Sequence, residues 1–421
     1  MKVLFTTAWY PNRKVAGDGV FIQKHAQAIA RLDDVAVLMV QTDEAVRGWR
    51  IEMEPFGPEV VEESVGLRGI LVYVPKTRFE LPVITGLLRL FWLMAGYLKG
   101  YRYIKRTYWQ GQRPDVCHVN VLTRAAGLPW LLFKVHKVPY IITEHWTRYA
   151  RPEAYPQSSM QLRLGRLFVR DASFVCPVSL NLEQAMKKWG LDNPHYSRVG
   201  NVVDTELWTQ GIVTNGQIVN GQIANGQIVN GQIVKFLHVS WMRDPAKNIS
   251  GILRTLARLK ERRQDFHLDL IGEGNDKEKL IQYAHDLGLD DHVTFLPAMT
   301  GEALVQQMQQ HDALLMFSNH ENQPVSILEA LSCGLPVIAT RIAAIPGMLA
   351  QNRGITVEPG DEASLLEVLD NFVTLKRQNR AAGGSGSTLA QQRHAYVVSH
   401  HSPEVIARQF DALYHASYRS E

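Results

Sequence analysis

The chain has 421 residues, 46% hydrophobic and 20% charged, which is enough apolar material for two domain cores and excludes wholesale disorder. The net charge of +4 is unevenly spread: residues 1–209 hold 27 basic and 19 acidic residues, the remainder 18 and 22. Lys and Arg are dispersed and no nucleic-acid module signature occurs, which excludes a nucleic-acid partner, whereas a basic front half suits an anionic acceptor or an anionic lipid surface.

In chain order, the opening MKVLFTTAWY reads as a β-strand followed by a turn and lacks the apolar length of a secretion signal. Strand-like runs follow at Val35–Val40, Gly69–Val74, Asp115–Val119, Tyr140–Thr143 and Ser173–Pro177. They alternate with helical patterns at Val20–Leu32, Ile84–Tyr108, Thr123–His136, Gln161–Arg170 and Leu182–Gly190. The most apolar stretch, Leu81–Leu98, contains Arg89 and two glycines and leads into KGYRYIKR; it is too short and too charged to span a bilayer and reads as a buried or interfacial helix. Strand–helix alternation predicts a parallel sheet covered on both faces.

Residues Asn215–Val234 repeat the unit NGQIV four times, once as NGQIA. Asn-Gly is a strong turn signal and a five-residue period is too short for a solenoid, so the repeat reads as an expanded surface loop. Beyond it the alternation resumes. Strands are expected at Phe236–Val239, His267–Ile271, Val293–Leu296, Ala313–Phe317 and Pro336–Ala339. Helices are expected at Ile249–Arg262, Lys277–Gly288, Gly301–Gln310, Pro324–Cys333 and Glu362–Val373. Ala381–Ser387, AAGGSGS, reads as a flexible stretch, and Pro403–Tyr418 as a last helix with an apolar face. Cys117, Cys176 and Cys333 are far apart in apolar surroundings, so no disulfide framework or metal set is expected and a reducing cytoplasm fits.

The chemistry concentrates in Ser318–Thr340, SNHENQPVSILEALSCGLPVIAT. A strand ends, a polar loop follows, and Pro324 suits the first position of a helix that Gly334 closes. The amides of Val325 and Ser326 then stand at a helix N-terminus, a ready anion site. Glu321 and Glu329 are eight residues apart; on one helix they would point about 80° from each other, but the proline puts Glu321 in the loop and Glu329 in the helix. A carboxylate accepts two hydrogen bonds, which suits a vicinal diol such as a ribose; a capping acid and a solvated helix acid are the plainer alternative.

This segment resembles the donor site of the family 4, group 1 retaining glycosyltransferases, whose pattern is Glu, seven residues, Glu-Ala-Leu, then Gly-x-Pro-Val. Here it reads Glu321…Glu329-Ala330-Leu331 and Gly334-Leu335-Pro336-Val337. The resemblance implies that Glu329 binds the donor ribose, that Glu321 lies near the anomeric carbon as nucleophile or electrostatic stabiliser, and that amides around Asn322–Ser326 hold the diphosphate or sugar hydroxyls. In FLHVSWMRDPAKNISGIL the family's Lys matches Lys247, at the opening of a helix, while its Arg slot holds Trp241, with Arg243 the nearest replacement. Gly272 of LIGEGN matches a strand end where backbone approaches the nucleotide, and Ala343-Ala344-Ile345-Pro346-Gly347 departs from the family's Gly-Gly-x-Pro-Glu. In the front half, WYP with GDGVF places Gly19 in the family's glycine-rich loop. YIITEHW places His145 in a Thr-x-His motif that lines the sugar pocket, with His118 structural and Asn201 of VGNVVD a weaker contact.

The resulting expectation is an α/β chain of two Rossmann-like, doubly wound domains facing a central cleft, the GT-B fold. Its parts are an acceptor-side domain over 1–200, a linker with the repeat over 201–234, and a nucleotide-sugar domain over 235–402, with helix 403–418 packing back on the first. The expected activity is retaining transfer of a hexosyl group from a UDP- or GDP-sugar to a glycan or lipid-linked acceptor in cell-surface polysaccharide synthesis. Glu321, His145 and Lys247 are expected to be catalytic, with donor contacts from Gly19, Arg243, Lys247, Gly272, Asn322, Val325, Ser326 and Glu329. No metal or cofactor is expected, because cations and amides suffice for the leaving diphosphate. Peripheral membrane contact through 81–106 and a cytoplasmic location, at the inner face of the membrane, complete the picture. The alternatives are a nucleotide-sugar epimerase of the same fold and an inactive nucleotide-sugar-binding protein.

Overall fold

The computed structural model describes residues 1–12, 17–44, 52–55, 66–76, 82–150, 160–210, 233–381 and 387–419. The chain divides into two compact units, Met1–Val202 with Pro403–Glu421, and Val203–Ser402.

The first unit runs β1 (Lys2–Thr7), α1 (Val20–Ile29), β2 (Asp34–Asp43), β3 (Glu52–Pro55), β4 (Leu67–Pro75), α2 (Pro82–Thr107), β5 (Val116–Asn120), α3 (Gly127–His136), β6 (Tyr140–Glu144), α4 (Met160–Asp171), β7 (Phe174–Pro177) and α5 (Leu180–Lys188). Its seven strands lie in the order β3-β4-β2-β1-β5-β6-β7. All pair in parallel except β3, which runs antiparallel to β4. The strands are almost wholly buried, as in FVCP or VCHVN, because helices cover both faces and each side chain meets a core whichever way it points.

The second unit runs β8 (Val234–Val239), α6 (Asp244–Lys247), α7 (Ile249–Arg262), β9 (Phe266–Ile271), α8 (Lys277–Asp286), β10 (Val293–Leu296), α9 (Gly301–Gln310), β11 (Ala313–Met316), α10 (Val325–Ser332), β12 (Val337–Thr340), α11 (Ile345–Leu349), β13 (Gly354–Val357), α12 (Glu362–Ala381) and α13 (Ser387–His401). Its six strands are parallel in the order β10-β9-β8-β11-β12-β13. Helix α7 shows the logic of the covering layer: Ile249, Ile252, Leu253, Leu256 and Leu259 recur at three- and four-residue steps and are all buried, while Arg258, Glu261 and Arg262 face away. The chain then returns to the first unit as α14 (Pro403–Arg419), whose Ile406, Phe410 and Tyr414 sit fully buried beside α1.

Several elements differ from the sequence expectation. β3 is an added antiparallel edge, formed by a short acidic segment that pairs with the next strand, β4. Lys247 does not open a long helix: it ends the short α6, and Asn248, in the left-handed region at φ 51°, turns the chain into α7. Pro324 lies outside α10 as its N-cap, with ψ of 122°, because an extended conformation there carries the loop into the helix. α11, β13 and α13 were not expected, and α12 extends to Ala381. The helix expected over Thr123–His136 begins as a separate turn at Arg124–Ala126. Of the repeat, residues 215–232 lie outside the described residues and Val234 begins β8; of the AAGGSGS stretch, 382–386 lie outside them.

Removing the α14 anchor tests the first unit directly. Phe410→Ala should cost about 3–5 kcal/mol in urea unfolding followed by tryptophan fluorescence, the usual loss for an aromatic deleted from a core.

Candidate active site

In a doubly wound sheet the connections leave opposite faces at the point where strand order reverses, and the loops there splay apart at the carboxyl ends of the strands. In the second unit that point is the β8–β11 pair. The loop after β8 carries Trp241–Lys247 and the loop after β11 carries Ser318–Pro324, so Lys247 and Glu321, 74 residues apart, reach the same edge. The backbone joins the two loops: the amides of Asn319 and His320 donate to the carbonyl of Ala246 at 2.9 and 3.2 Å, and Asn319 Nδ2 donates to the carbonyl of Pro245 at 3.3 Å. Lys247 Nζ then donates to Glu321 Oε1 at 2.6 Å, with the two side chains 21% and 8% exposed. An ammonium has three N–H donors, so this bond leaves donor capacity for an anion.

The neighbouring groups extend that edge. Val325 and Ser326 are the first two residues of α10, behind the capping Pro324, so their amides stand at the helix's positive end. Glu329 is buried on the same helix. Asn322 is buried, and its carbonyl accepts the amide of Ala344 at 3.1 Å, which ties the loop after β11 to the start of α11. The Ser318 hydroxyl is buried with no hydrogen-bond partner among the described residues. Gly272, at φ 152°, brings its backbone so close to the loop after β8 that an added Cβ would lie 1.9 Å from the Ser240 carbonyl. A side chain is therefore excluded there for packing reasons alone. Arg243 is exposed, and its carbonyl accepts the amides of Ala246 and Lys247; Trp241, in the family's Arg slot, is 60% exposed. His238 at the end of β8 was not singled out in the sequence. Burial, with the Lys247 charge nearby, pushes its pKa down to about 4. Its ring nitrogens contact the Leu315 carbonyl and the Ser240 hydroxyl, each at 2.8 Å, so a neutral imidazole joins β8 to β11 beneath Lys247.

Gly19 and His145 belong to the first unit, at the carboxyl ends of β1 and β6. Gly19 caps α1 at φ 66°, and a Cβ there would come within 2.6 Å of the Trp9 backbone, so the glycine lets the loop after β1 close on the helix start. His145 packs against Phe21 and His25, with ring centroids 4.7 and 5.1 Å away, and interacts with the side chain of Asn201. Burial, with His25 and His118 nearby, holds its pKa well below the ordinary histidine value, so it works as a neutral ring. His118 is structural: its nitrogens meet Tyr414 Oη and Thr143 Oγ1, each at 2.7 Å.

The sequence reading passed over Glu144, although it stands inside the quoted YIITEHW. This carboxyl is fully buried. It accepts the amides of Leu122, His145 and Trp146 at 2.8 Å each, and the Tyr149 hydroxyl at 3.4 Å. It thereby anchors the turns that follow both β5 and β6. Burial nevertheless prevails over these bonds and pushes its pKa up to about 7.

Comparison with known proteins gives the family and the fold. Residues 17–201 match the glycosyl transferase 4-like domain model and residues 234–386 match the model of glycosyl transferases group 1. The chain belongs to the group 1 glycosyltransferases. Among curated relatives, the lipopolysaccharide 1,6-galactosyltransferase of Escherichia coli is 29% identical over 33% of this chain and 39% of that enzyme, well short of its full length. The N-acetyl-alpha-D-glucosaminyl L-malate synthase of Bacillus anthracis is 22% identical over 74% of this chain and 77% of that enzyme. Among solved structures, Anabaena HepE in complex with UDP-glucose superposes with a TM-score of 0.68 at 18% identity, covering 99% of this chain and 100% of that one. The shared architecture is the GT-B fold of two Rossmann-like domains.

Glu144 yields a pH prediction. Its folded pKa of about 7 lies above the ordinary 4.5, so the folded state binds more protons than the unfolded chain between those values, and stability falls as pH rises through them. Glu144→Gln should remove this component. The stability of the wild type relative to the variant should decline by up to about 1.4 kcal/mol per pH unit from pH 4.5 to 7, read by urea unfolding at several pH values.

Proposed function

We propose that the chain transfers a sugar, with retention at the anomeric carbon and without a metal, from a UDP- or GDP-sugar to a glycan or lipid-linked acceptor of the cell surface. The observation that carries this reading is the Lys247–Glu321 contact at the strand switch of the second unit, beside the N-terminus of α10. In this reaction the bond from the anomeric carbon to the diphosphate oxygen breaks and a bond to an acceptor oxygen forms, while the acceptor proton passes to the departing diphosphate. Negative charge grows on the leaving group and positive charge on the sugar ring. Lys247 and the amides of Val325 and Ser326 meet the first, and Glu321 meets the second. Asn322 positions the donor, Glu329 takes the ribose hydroxyls, and Gly272 admits the nucleotide close to backbone. Arg243 reaches the diphosphate from the same loop as Lys247. The UDP-glucose bound to the similar HepE supports a UDP-sugar donor, and the galactosyltransferase named for lipopolysaccharide supports a cell-surface acceptor.

Glu321→Gln should lower the turnover number about 100-fold or more with the melting temperature retained. Lys247→Ala should weaken UDP binding by about 10- to 100-fold, the worth of one charge-assisted bond, read by thermal stabilisation with UDP and GDP. Normal turnover in the first variant would remove Glu321 from the mechanism.

The same reading places the enzyme at the cytoplasmic face of a membrane through α2. No helix among the described residues is long and apolar enough to cross a membrane. Leu87, Leu90 and Phe91 are nonetheless at least half exposed near its start, and Arg102 and Arg106 are exposed on its later turns. Apolar insertion joined to basic residues is how a helix rests on anionic lipid. Arg102/Lys105/Arg106→Ala should lose co-sedimentation with phosphatidylglycerol vesicles, and equal sedimentation would refute the contact.

A further inference from the structure

His238 fixes the position of one proton at the strand switch of the second unit. The Leu315 carbonyl, 2.8 Å from its Nδ1, can only accept a hydrogen bond, so Nδ1 carries the hydrogen. The ring is fully buried and desolvation keeps it neutral, so it has one hydrogen and Nε2 is bare. Ser240 Oγ lies 2.8 Å from Nε2 and therefore donates to it. This is the one hydrogen bond of that hydroxyl among the described residues. Its proton is turned to the ring, and Oγ keeps two lone pairs and no hydrogen for anything else.

Ser240 is half-buried at the carboxyl end of β8, where strand order reverses, on the loop that leads to Lys247. Neighbouring backbone holds it there. Its amide donates to the Ile271 carbonyl at 3.2 Å, and its own carbonyl is the group that excludes a side chain at Gly272. Place and rotation are therefore both set before a ligand arrives, and together they decide what the hydroxyl can meet. An ionised phosphate oxygen has only lone pairs to offer and is repelled, whereas a hydroxyl or an N–H has a hydrogen to give. In the transfer proposed above, the diphosphate falls to Lys247 and the first amides of α10, and the ribose to Glu329. The hydroxyls of the transferred sugar are left for Ser240.

We propose that Ser240 accepts a hydrogen bond from one hydroxyl of the transferred sugar and so helps to select that sugar, and that His238 is the positioning residue that keeps the Ser240 proton out of the way. The inference rests on the transferase reading above and deepens it at the same site. The selectivity comes more from mismatch than from attraction. A sugar with hydrogen or fluorine in place of that hydroxyl has nothing to donate, and it leaves the Ser240 lone pairs desolvated and unpaired. Fluorine is the sharper probe, because it keeps the approximate size and the negative end of a hydroxyl but not its hydrogen. Without the His238 ring the Ser240 hydroxyl turns freely and donates as readily as it accepts, so the distinction between the two sugars is lost.

The test uses the full chain. Long-range proton–nitrogen NMR on histidine-labelled protein, with the His238 signals identified by their loss in His238→Gln, should show hydrogen on Nδ1 and a bare Nε2 at neutral pH. Hydrogen on Nε2 would overturn the proposal. Thermal stabilisation then gives affinities for UDP, GDP, UDP-glucose, UDP-galactose and GDP-mannose, and for the deoxyfluoro analogues, one per sugar hydroxyl, of whichever nucleotide sugar binds best. In the wild type one analogue should bind about 10-fold more weakly than its parent. In Ser240→Ala the parent should weaken by about the same factor, that analogue should lose nothing further, and the bare diphosphate should change by less than about 2-fold. Ser240→Thr keeps the hydroxyl and should restore the discrimination. His238→Leu should abolish it, and adding Ser240→Ala to that variant should cost no further sugar affinity, whereas a merely structural histidine and an independent serine would each add a loss. If the leucine variant folds poorly, as its melting temperature without ligand will show, the Ser240 variants and the NMR spectrum carry the test. No analogue penalty in the wild type, a penalty that persists in Ser240→Ala, or equal loss of diphosphate and nucleotide sugar in that variant would overturn the proposal and leave the donor reading intact. No stabilisation of the wild type by any of these compounds would sink the donor reading and this inference with it.

Discussion

The ion pair between Lys247 and Glu321 sets the organisation of the second unit's site. A carboxylate beside a nucleoside diphosphate is repelled by it, and an isolated, largely buried carboxylate carries a desolvation cost. One ammonium offsets both: it neutralises Glu321 at 2.6 Å and still has donors to present to phosphate. In the proposed transfer the pair would let an acid sit close to an anionic leaving group while positive charge builds on the sugar. The rest of the edge keeps the pair in place. The Ala246 carbonyl receives two amides from the opposite loop, His238 bridges the two strands as a neutral ring, and Gly272 allows a third loop to close on the first.

The first unit anchors its edge differently, with a buried acid instead of an ion pair. Glu144 collects three amides and a hydroxyl, so its loss would release the turns after β5 and β6 together. Its raised pKa measures how far burial outweighs those four bonds. A cationic partner at that position would have lowered the pKa. The cation of the turn after β6, Arg148, is instead stacked on Trp146.

Much of the architecture was legible because a parallel sheet buried on both faces writes itself as continuous apolar runs. Val293–Leu296 and Ile249–Arg262 were read to the residue, and the Ser318–Thr340 segment gave the order strand, loop, helix, strand correctly. The failures have physical causes. β3 owes its conformation to pairing with β4, a contact that no local pattern encodes. Lys247 was assigned to a helix start because Asn248 in a left-handed turn cannot be foreseen from composition, and the short α6 is held by the β11 loop as much as by its own bonds. In the site, motif spacing found Glu321 and Lys247 but not their contact, which depends on where the strand order reverses. Glu144 escaped notice because an acid next to a histidine reads as solvated until burial is known.

The charge distribution narrows how each kind of ligand is held. The back half of the chain is net acidic, yet it carries the site assigned to a diphosphate. At physiological ionic strength, exposed charges beyond about 8 Å are largely screened, so the summed acidity there matters less than the nearest donors. In the proposed transfer, binding of the diphosphate would then be local, through Lys247, Arg243 and the first amides of α10. That explains why the exposed Trp241 can occupy the family's Arg slot without emptying the site of cations: Arg243, two residues on, lies on the same turn, its carbonyl hydrogen-bonded to the amide of Lys247 itself.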